Sequence, residues 1–119
     1  KKKQQKIIIG YGEHIADGRV RIINNGRDFS VSLMVGTGVT EYTNYFRRLG
    51  LRYLEVIAES ELEIAYISVC PCVYPVKRIS RRFGSEMKQQ IYDTAVRTLE
   101  LCMHEHYEDC PWREQALYG

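Results

Sequence analysis

The chain has 119 residues, 45% of them hydrophobic and 27% charged, with a formal net charge of +2. That length is about one domain's worth, and the composition is that of an ordinary globular protein rather than a disordered one. The small positive excess sits in Lys1-Lys2-Lys3 with Lys6 and in residues 77–82, short basic runs of the kind that usually coat a solvated surface, so no nucleic-acid partner is expected. No apolar run approaches the ~18 residues of a membrane span, so no membrane is expected either. A signal core of ~7–15 apolar residues is likewise missing. Four cysteines, Cys70, Cys72, Cys102 and Cys110, do not suggest a disulfide scaffold. Cys70 and Cys72 flank a single proline, where a mutual bridge would be strained. Reduced thiols and a cytoplasmic setting are the expectation.

In chain order, Ile7-Ile8-Ile9 is a short β-branched run expected to end at Gly10. Asp17-Gly18 marks a turn, with a strand over residues 19–23 after it. Asn25-Gly26 is the strongest hairpin signal in the chain. Phe29, Val31, Leu33 and Val35 then alternate with Ser30, Ser32 and Met34, as a half-buried strand requires, and Gly36 and Gly38 break it. Further strands are expected over residues 53–58 and 62–69, with Glu59-Ser60-Glu61 as the turn between. Short strands separated by turn signals suggest an antiparallel β-sandwich. Pro71 and Pro75, which cannot donate to a ladder, end the β region.

Residues 77–83 read as a basic linker. At Ser85 the period changes from 2 to 3.6. Ser85 is a suitable N-cap and Glu86 suits the positive helix end. Met87, Ile91, Ala95, Thr98 and Cys102 share one face. The helix is expected to run about twenty residues and to stop before Pro111. The fold class is therefore mainly β with α: partial sandwich over 1–76, linker over 77–84, and the opening helix of a second domain over 85–119. That helix needs apolar partners that the chain does not itself supply, which points to a truncated piece.

Chemistry concentrates in residues 103–115, which hold four carboxylates, two histidines, an arginine and two aromatics. Aromatic faces beside carboxylates and an arginine suit sugar recognition, since rings cover C–H faces while charged groups bind hydroxyls. His104, His106, Cys102 and Cys110 are conceivable metal ligands, but helical residues two apart diverge. No metal and no cofactor are expected. Cys110 with His106 four residues earlier carries no cysteine-enzyme signature. Neither Gly10, Gly12 and Gly18 nor Gly36 and Gly38 match a phosphate loop.

The stretch Leu101-Cys102-Met103-His104-Glu105-His106-Tyr107-Glu108-Asp109-Cys110-Pro111-Trp112-Arg113-Glu114-Gln115-Ala116-Leu117-Tyr118 resembles the catalytic signature of the bacterial α-L-rhamnosidases. The family core, Asp-Cys-Pro-x-Arg-Glu, is intact as Asp109 to Glu114. The segment Glu41-Tyr42-Thr43-Asn44-Tyr45-Phe46-Arg47-Arg48-Leu49-Gly50-Leu51-Arg52-Tyr53-Leu54-Glu55-Val56 is similar to the end of the β-sandwich that precedes the barrel in that family. The resemblance implies an inverting glycoside hydrolase that cleaves terminal α-L-rhamnosides, with a catalytic (α/α)₆ barrel that begins in this chain. It implies Glu114 as general acid, and Asp109 and Arg113 near the sugar hydroxyls, with Trp112 beside them. An acid working near neutral pH needs a raised pKa, and burial beside Trp112 is expected to help provide it. The family motif usually continues Leu-Gly-Trp and an aspartate; here it reads Ala116-Leu117-Tyr118-Gly119, which looks like a subgroup. The general base would lie beyond Gly119, so the piece alone is expected to be inactive. The alternative is a non-catalytic carbohydrate-binding or accessory β module.

Overall fold

The computed structural model describes residues 4–117; Lys1-Lys2-Lys3 and Tyr118-Gly119 of the motifs above lie outside them. The chain divides after Val69 into two compact units.

The first unit is built around β1 (Gln5–Gly12), the central strand of a three-stranded antiparallel sheet. Two ribbons of short strands follow it: β2 (Ile15–Ala16) pairs with β3 (Arg19–Val20), and β4 (Ile23–Asn24) with β5 (Arg27–Asp28). The sheet's outer strands are β6 (Ser30–Val35) and β7 (Tyr53–Ala58). Both expected turns form: Asp17 and Gly18 take φ of 50° and 73°, and Asn25 and Gly26 take 49° and 75°. Two successive left-handed residues match the right-handed twist of a two-residue hairpin.

Register sorts the sheet into two faces. Ile7 lies opposite Leu33 and Ala58, and Ile9 opposite Val31 and Val56. Tyr11 lies opposite Leu54, and its N–H donates to the Phe29 carbonyl at 3.0 Å. From Ile7 to Tyr11 this face is thus apolar. Tyr11 is its most buried member, 2% exposed, with the Phe29 ring edge-on at 5.9 Å. The Arg47 guanidinium covers Tyr11 at 5.5 Å from the ring centroid, and burial raises the Tyr11 phenol above its ordinary range. On the other face Gly10 and Glu55 are opposite each other. Glu55 pairs with Arg19 and accepts from Val20 N–H at 3.0 Å, which ties β3 down. Ile22 packs so close over Gly10 that a Cβ there would sit 2.4 Å from Ile22 Cγ2.

Several expectations need correction here. β1 does not stop at Gly10; the glycine lets Ile22 approach while the strand runs on to Gly12. The strand expected over 19–23 is split between the two ribbons, because each of its ends pairs in a different hairpin. Residues 62–69 form no strand, and Ile64, Tyr66, Ile67 and Val69 are exposed. Their β-branched and aromatic content marks a fit to a pleated surface, and no neighbouring strand offers one. The mainly-β, some-α class stands, but the expected sandwich is, among the described residues, one three-stranded sheet with two ribbons.

The second unit contains α1 (Glu86–Cys102). Ser85 occupies the cap position in an extended conformation (φ −133°, ψ 130°), but its hydroxyl makes no capping bond. The helix ends eight residues before the expected limit. Glu100, Glu105, Glu108 and Asp109 crowd its C-terminal end with no basic residue in the last turn. Negative charge at the negative pole of the dipole disfavours continuation. Met103 turns extended and bridges Tyr107, and Glu108 N–H reaches back to the Cys102 carbonyl at 2.8 Å.

The covered face of α1 is not the expected one. Met87 and Ile91 are 70% and 63% exposed. Instead Gln89, Tyr92, Val96 and Glu100 are covered, and an arm of residues 70–83 supplies most of their polar partners. Tyr92 O–H donates to the Ile79 carbonyl at 2.9 Å, and its ring meets Phe83 at 5.3 Å. Gln89 accepts from Phe83 N–H and donates to the Arg81 carbonyl. Arg78 binds both oxygens of the buried Glu100, each at 2.5 Å. Residues 77–83, read from sequence as a linker, lie along the helix through these bonds.

Two outcomes test this packing. Gly10→Ala is expected to cost about 1–3 kcal/mol, as overpacking does. Chemical denaturation should show that Ile22→Ala, which removes the clashing Cγ2, makes the double variant more stable than the sum of the two single losses. Glu100→Ala should free the arm, seen as faster tryptic cleavage after Arg81 and Arg82 under native conditions.

Candidate functional site

Every candidate from the sequence motif lies in one loop after α1. The loop closes on itself. Asp109 N–H donates to the Ala116 carbonyl at 3.0 Å, and Ala116 N–H donates to Asp109 Oδ1 at 3.0 Å. A turn over residues 111–114 fills the interior, and Gln115 takes the left-handed φ of 51° while its amide donates to the Pro111 carbonyl at 2.8 Å. Trp112 is buried at 5% exposure. Asp109 is therefore a fastener of the loop first. The hydrogen bond from Ala116 N–H is the main reason its carboxyl lies below the ordinary range; partial burial opposes it.

Glu114 is partly covered and turned toward two neighbours. Arg113 Nε donates to Oε2 at 2.6 Å and lies 2.5 Å from Oε1 as an ion pair. The Cys110 thiol donates to Oε2 at 3.3 Å, and Glu114 N–H points at Cys110 Sγ at the same distance. The Arg113 hydrogen bond is the largest influence and holds the Glu114 carboxyl below its ordinary range; partial burial works the other way, and the thiol bond adds to the lowering. The raised value expected from burial beside Trp112 is thus reversed. Trp112 is buried, but Arg113 sets the sign. In this state Glu114 is an ionised acceptor, and proton donation at neutral pH requires Arg113 to let go.

Ligand atoms of Asp109, Cys110 and Glu114 lie within 4.8 Å of one another. They differ from the set weighed from sequence, of which Cys110 alone is present. The Arg113 guanidinium already supplies positive charge to Glu114, so a cation would have to displace it. Away from the loop, an open groove of ≈ 720 Å³ runs beside α1, lined among others by Phe83, Tyr92, Asp93, Arg81, Arg82 and Arg97.

One pairing had no sequence signal. Cys72 Sγ lies 3.0 Å from His104 Nε2. The two residues are 32 positions apart, and only the docking of the arm on the helix end joins them.

No family model matches the chain, and no curated protein or solved structure shows significant similarity to it. No helix among the described residues is long and apolar enough to cross a membrane.

Carbon-13 NMR titration provides the check on this electrostatic picture. Glu114 should titrate below the ordinary ~4.3, and Arg113→Gln should return it toward that value. Because both carboxyls are lowered on folding, their stabilisation is present above the unfolded values of about pH 4. It is lost as pH falls through the lowered ones.

Proposed function

We propose that this chain contributes to an α-L-rhamnosidase-like inverting glycoside hydrolase, with Glu114 as the general acid. The observation that carries the reading is the intact Asp109-Cys110-Pro111-Trp112-Arg113-Glu114 motif. It folds into one fastened loop with the carboxylate and guanidinium at its surface and the indole beneath. In this reading α1 opens an (α/α)₆ barrel, whose other helices cover Met87 and Ile91. The terminal α-L-rhamnoside is the substrate, and no metal or cofactor takes part.

The chemistry is proton transfer to the glycosidic oxygen while a second carboxylate activates water on the opposite face, roughly 6.5–9.5 Å away. On this reading the second carboxylate is supplied from outside the motif loop. Sugar hydroxyls entering the site draw the Arg113 guanidinium off Glu114. Losing that partner, and losing water as the site closes, both raise the carboxyl toward the range an acid needs. Arg113 thus binds substrate and arms the acid in one movement.

A second reading is favoured by the Glu114–Arg113 pair itself and by the groove beside α1. A carboxylate held low is a binder rather than an acid, and rings, arginines and a carboxylate around a groove suit a glycan. On that reading the chain is a non-catalytic carbohydrate-binding or accessory module.

The leaving group separates the two. In the parent enzyme Glu114→Gln should slow hydrolysis of alkyl or sugar rhamnosides by about 10²–10⁴. It should damage nitrophenyl rhamnoside cleavage less and remove the alkaline limb of the pH–rate profile. Near wild-type hydrolysis of a natural rhamnoside by that variant, with both limbs intact, rules out the acid role. The 119-residue chain alone is expected to release no nitrophenol.

A further inference from the structure

The pairing of Cys72 with His104 lies outside the motif loop and is not used by the proposed hydrolysis. Its geometry is built from both sides. On one side α1 ends at Cys102, and residues 103–107 close into a small bridged turn, with His104 N–H donating to the His106 carbonyl at 3.1 Å. On the other, the arm is fixed by Tyr74 N–H on the Met103 carbonyl at 3.4 Å and by Arg78 on Glu100. Between these anchors the Cys72 thiol is exposed and the His104 ring half-buried, with Sγ and Nε2 at 3.0 Å.

A nucleophile within hydrogen-bond reach of a base, accessible to solvent and held by structure on both sides, is the arrangement that activates a thiol. We infer that Cys72 and His104 form a nucleophilic dyad, and that Cys72 is a site of covalent modification by soft carbon electrophiles such as haloacetamides and α,β-unsaturated carbonyls. With the thiol as donor, Nε2 accepts and Nδ1 carries the ring proton. As Sγ attacks, the S–H proton passes to Nε2. With a haloacetamide an S–C bond forms, the carbon–halogen bond breaks, and halide leaves with the bonding pair. With an unsaturated carbonyl the β-carbon takes the S–C bond, and the α-carbon then recovers the proton from the imidazolium. Both steps balance without an oxidant or a metal.

The chain carries its own controls. Cys70 is also exposed, two residues away, and its thiol faces the Pro71 carbonyl at 4.0 Å rather than a base. Cys110 is partly covered, and its thiol donates to an anion, Glu114.

The test is carbamidomethylation of the intact folded chain by limiting iodoacetamide, with the rate at each cysteine read by peptide mass spectrometry. At a pH of about 6.5, Cys72 should react about tenfold faster than Cys70. The two rates should converge in denaturant, where the arm no longer holds Cys72 against His104. His104→Gln should bring the Cys72 rate down to that of Cys70, while His106→Gln should leave it high. Circular dichroism and the Cys110 rate, which a loss of fold would also move, show whether His104→Gln remains folded. If it does not, the unsubstituted chain decides alone, through the Cys72 to Cys70 ratio in the native and the denatured state. Equal rates at Cys70 and Cys72 in the native chain, or a folded His104→Gln chain with an undiminished Cys72 rate, overturn the dyad.

Discussion

The second unit depends on the bidentate bond between Arg78 and Glu100. Glu100 is a buried carboxylate on the last turn of a helix that carries no basic residue there. A charge so placed is tolerated only when paired, and the partner comes from the arm rather than from the helix. Together with the bonds of Gln89 and Tyr92, that pairing lays residues 70–83 along the Gln89–Tyr92–Val96–Glu100 face. It also sets where the chain can go after Cys102, because Tyr74 then meets Met103 and Cys72 meets His104.

The consequence of this arrangement is open apolar surface. In the first unit the sheet builds an apolar face, yet among the described hydrophobic side chains there only Ile7, Tyr11, Phe29 and Val35 are buried. In the second, polar bonds take the covered face of α1, and Met87, Ile91 and Leu99 remain open. Helices normally gain their stability by burying an apolar stripe, so the helix is held here by the weaker of its two faces. On the proposed reading, other helices of a barrel meet the stronger one.

The motif loop shows how one arginine sets the chemistry of its neighbour. Glu114 has the partial cover that would favour a protonated acid, and the adjacent guanidinium outweighs it. On the proposed reading, the same two side chains bind sugar while Arg113 stays, and Glu114 becomes an acid when it leaves. Asp109 acts differently, since its Oδ1 accepts from Ala116 N–H and keeps the loop closed.

Local signals in the sequence determined much of the first unit. Asn25-Gly26 and Asp17-Gly18 specify left-handed turn residues, and the alternation from Phe29 to Val35 specifies a face, because both depend only on neighbouring residues. The start of α1 at Glu86 and its acidic first turn were legible for the same reason, as was the gathering of Asp109, Trp112, Arg113 and Glu114, which lie within one short stretch. What the sequence could not decide was which surfaces meet. Residues 62–69 have strand composition but no partner strand. Gly10 was a stop by itself and is a close contact once Ile22 packs on it. The apolar stripe of α1 was the expected buried face, but Arg78 and Tyr92 placed the arm on the other. The sign of the Glu114 shift followed from the direction in which Arg113 turned, and the Cys72–His104 dyad from the closing of 32 residues of chain. Periodicity and propensity act within a few residues. Partner choice across longer separations is set by the folded geometry, where one buried charge can outweigh a whole apolar stripe.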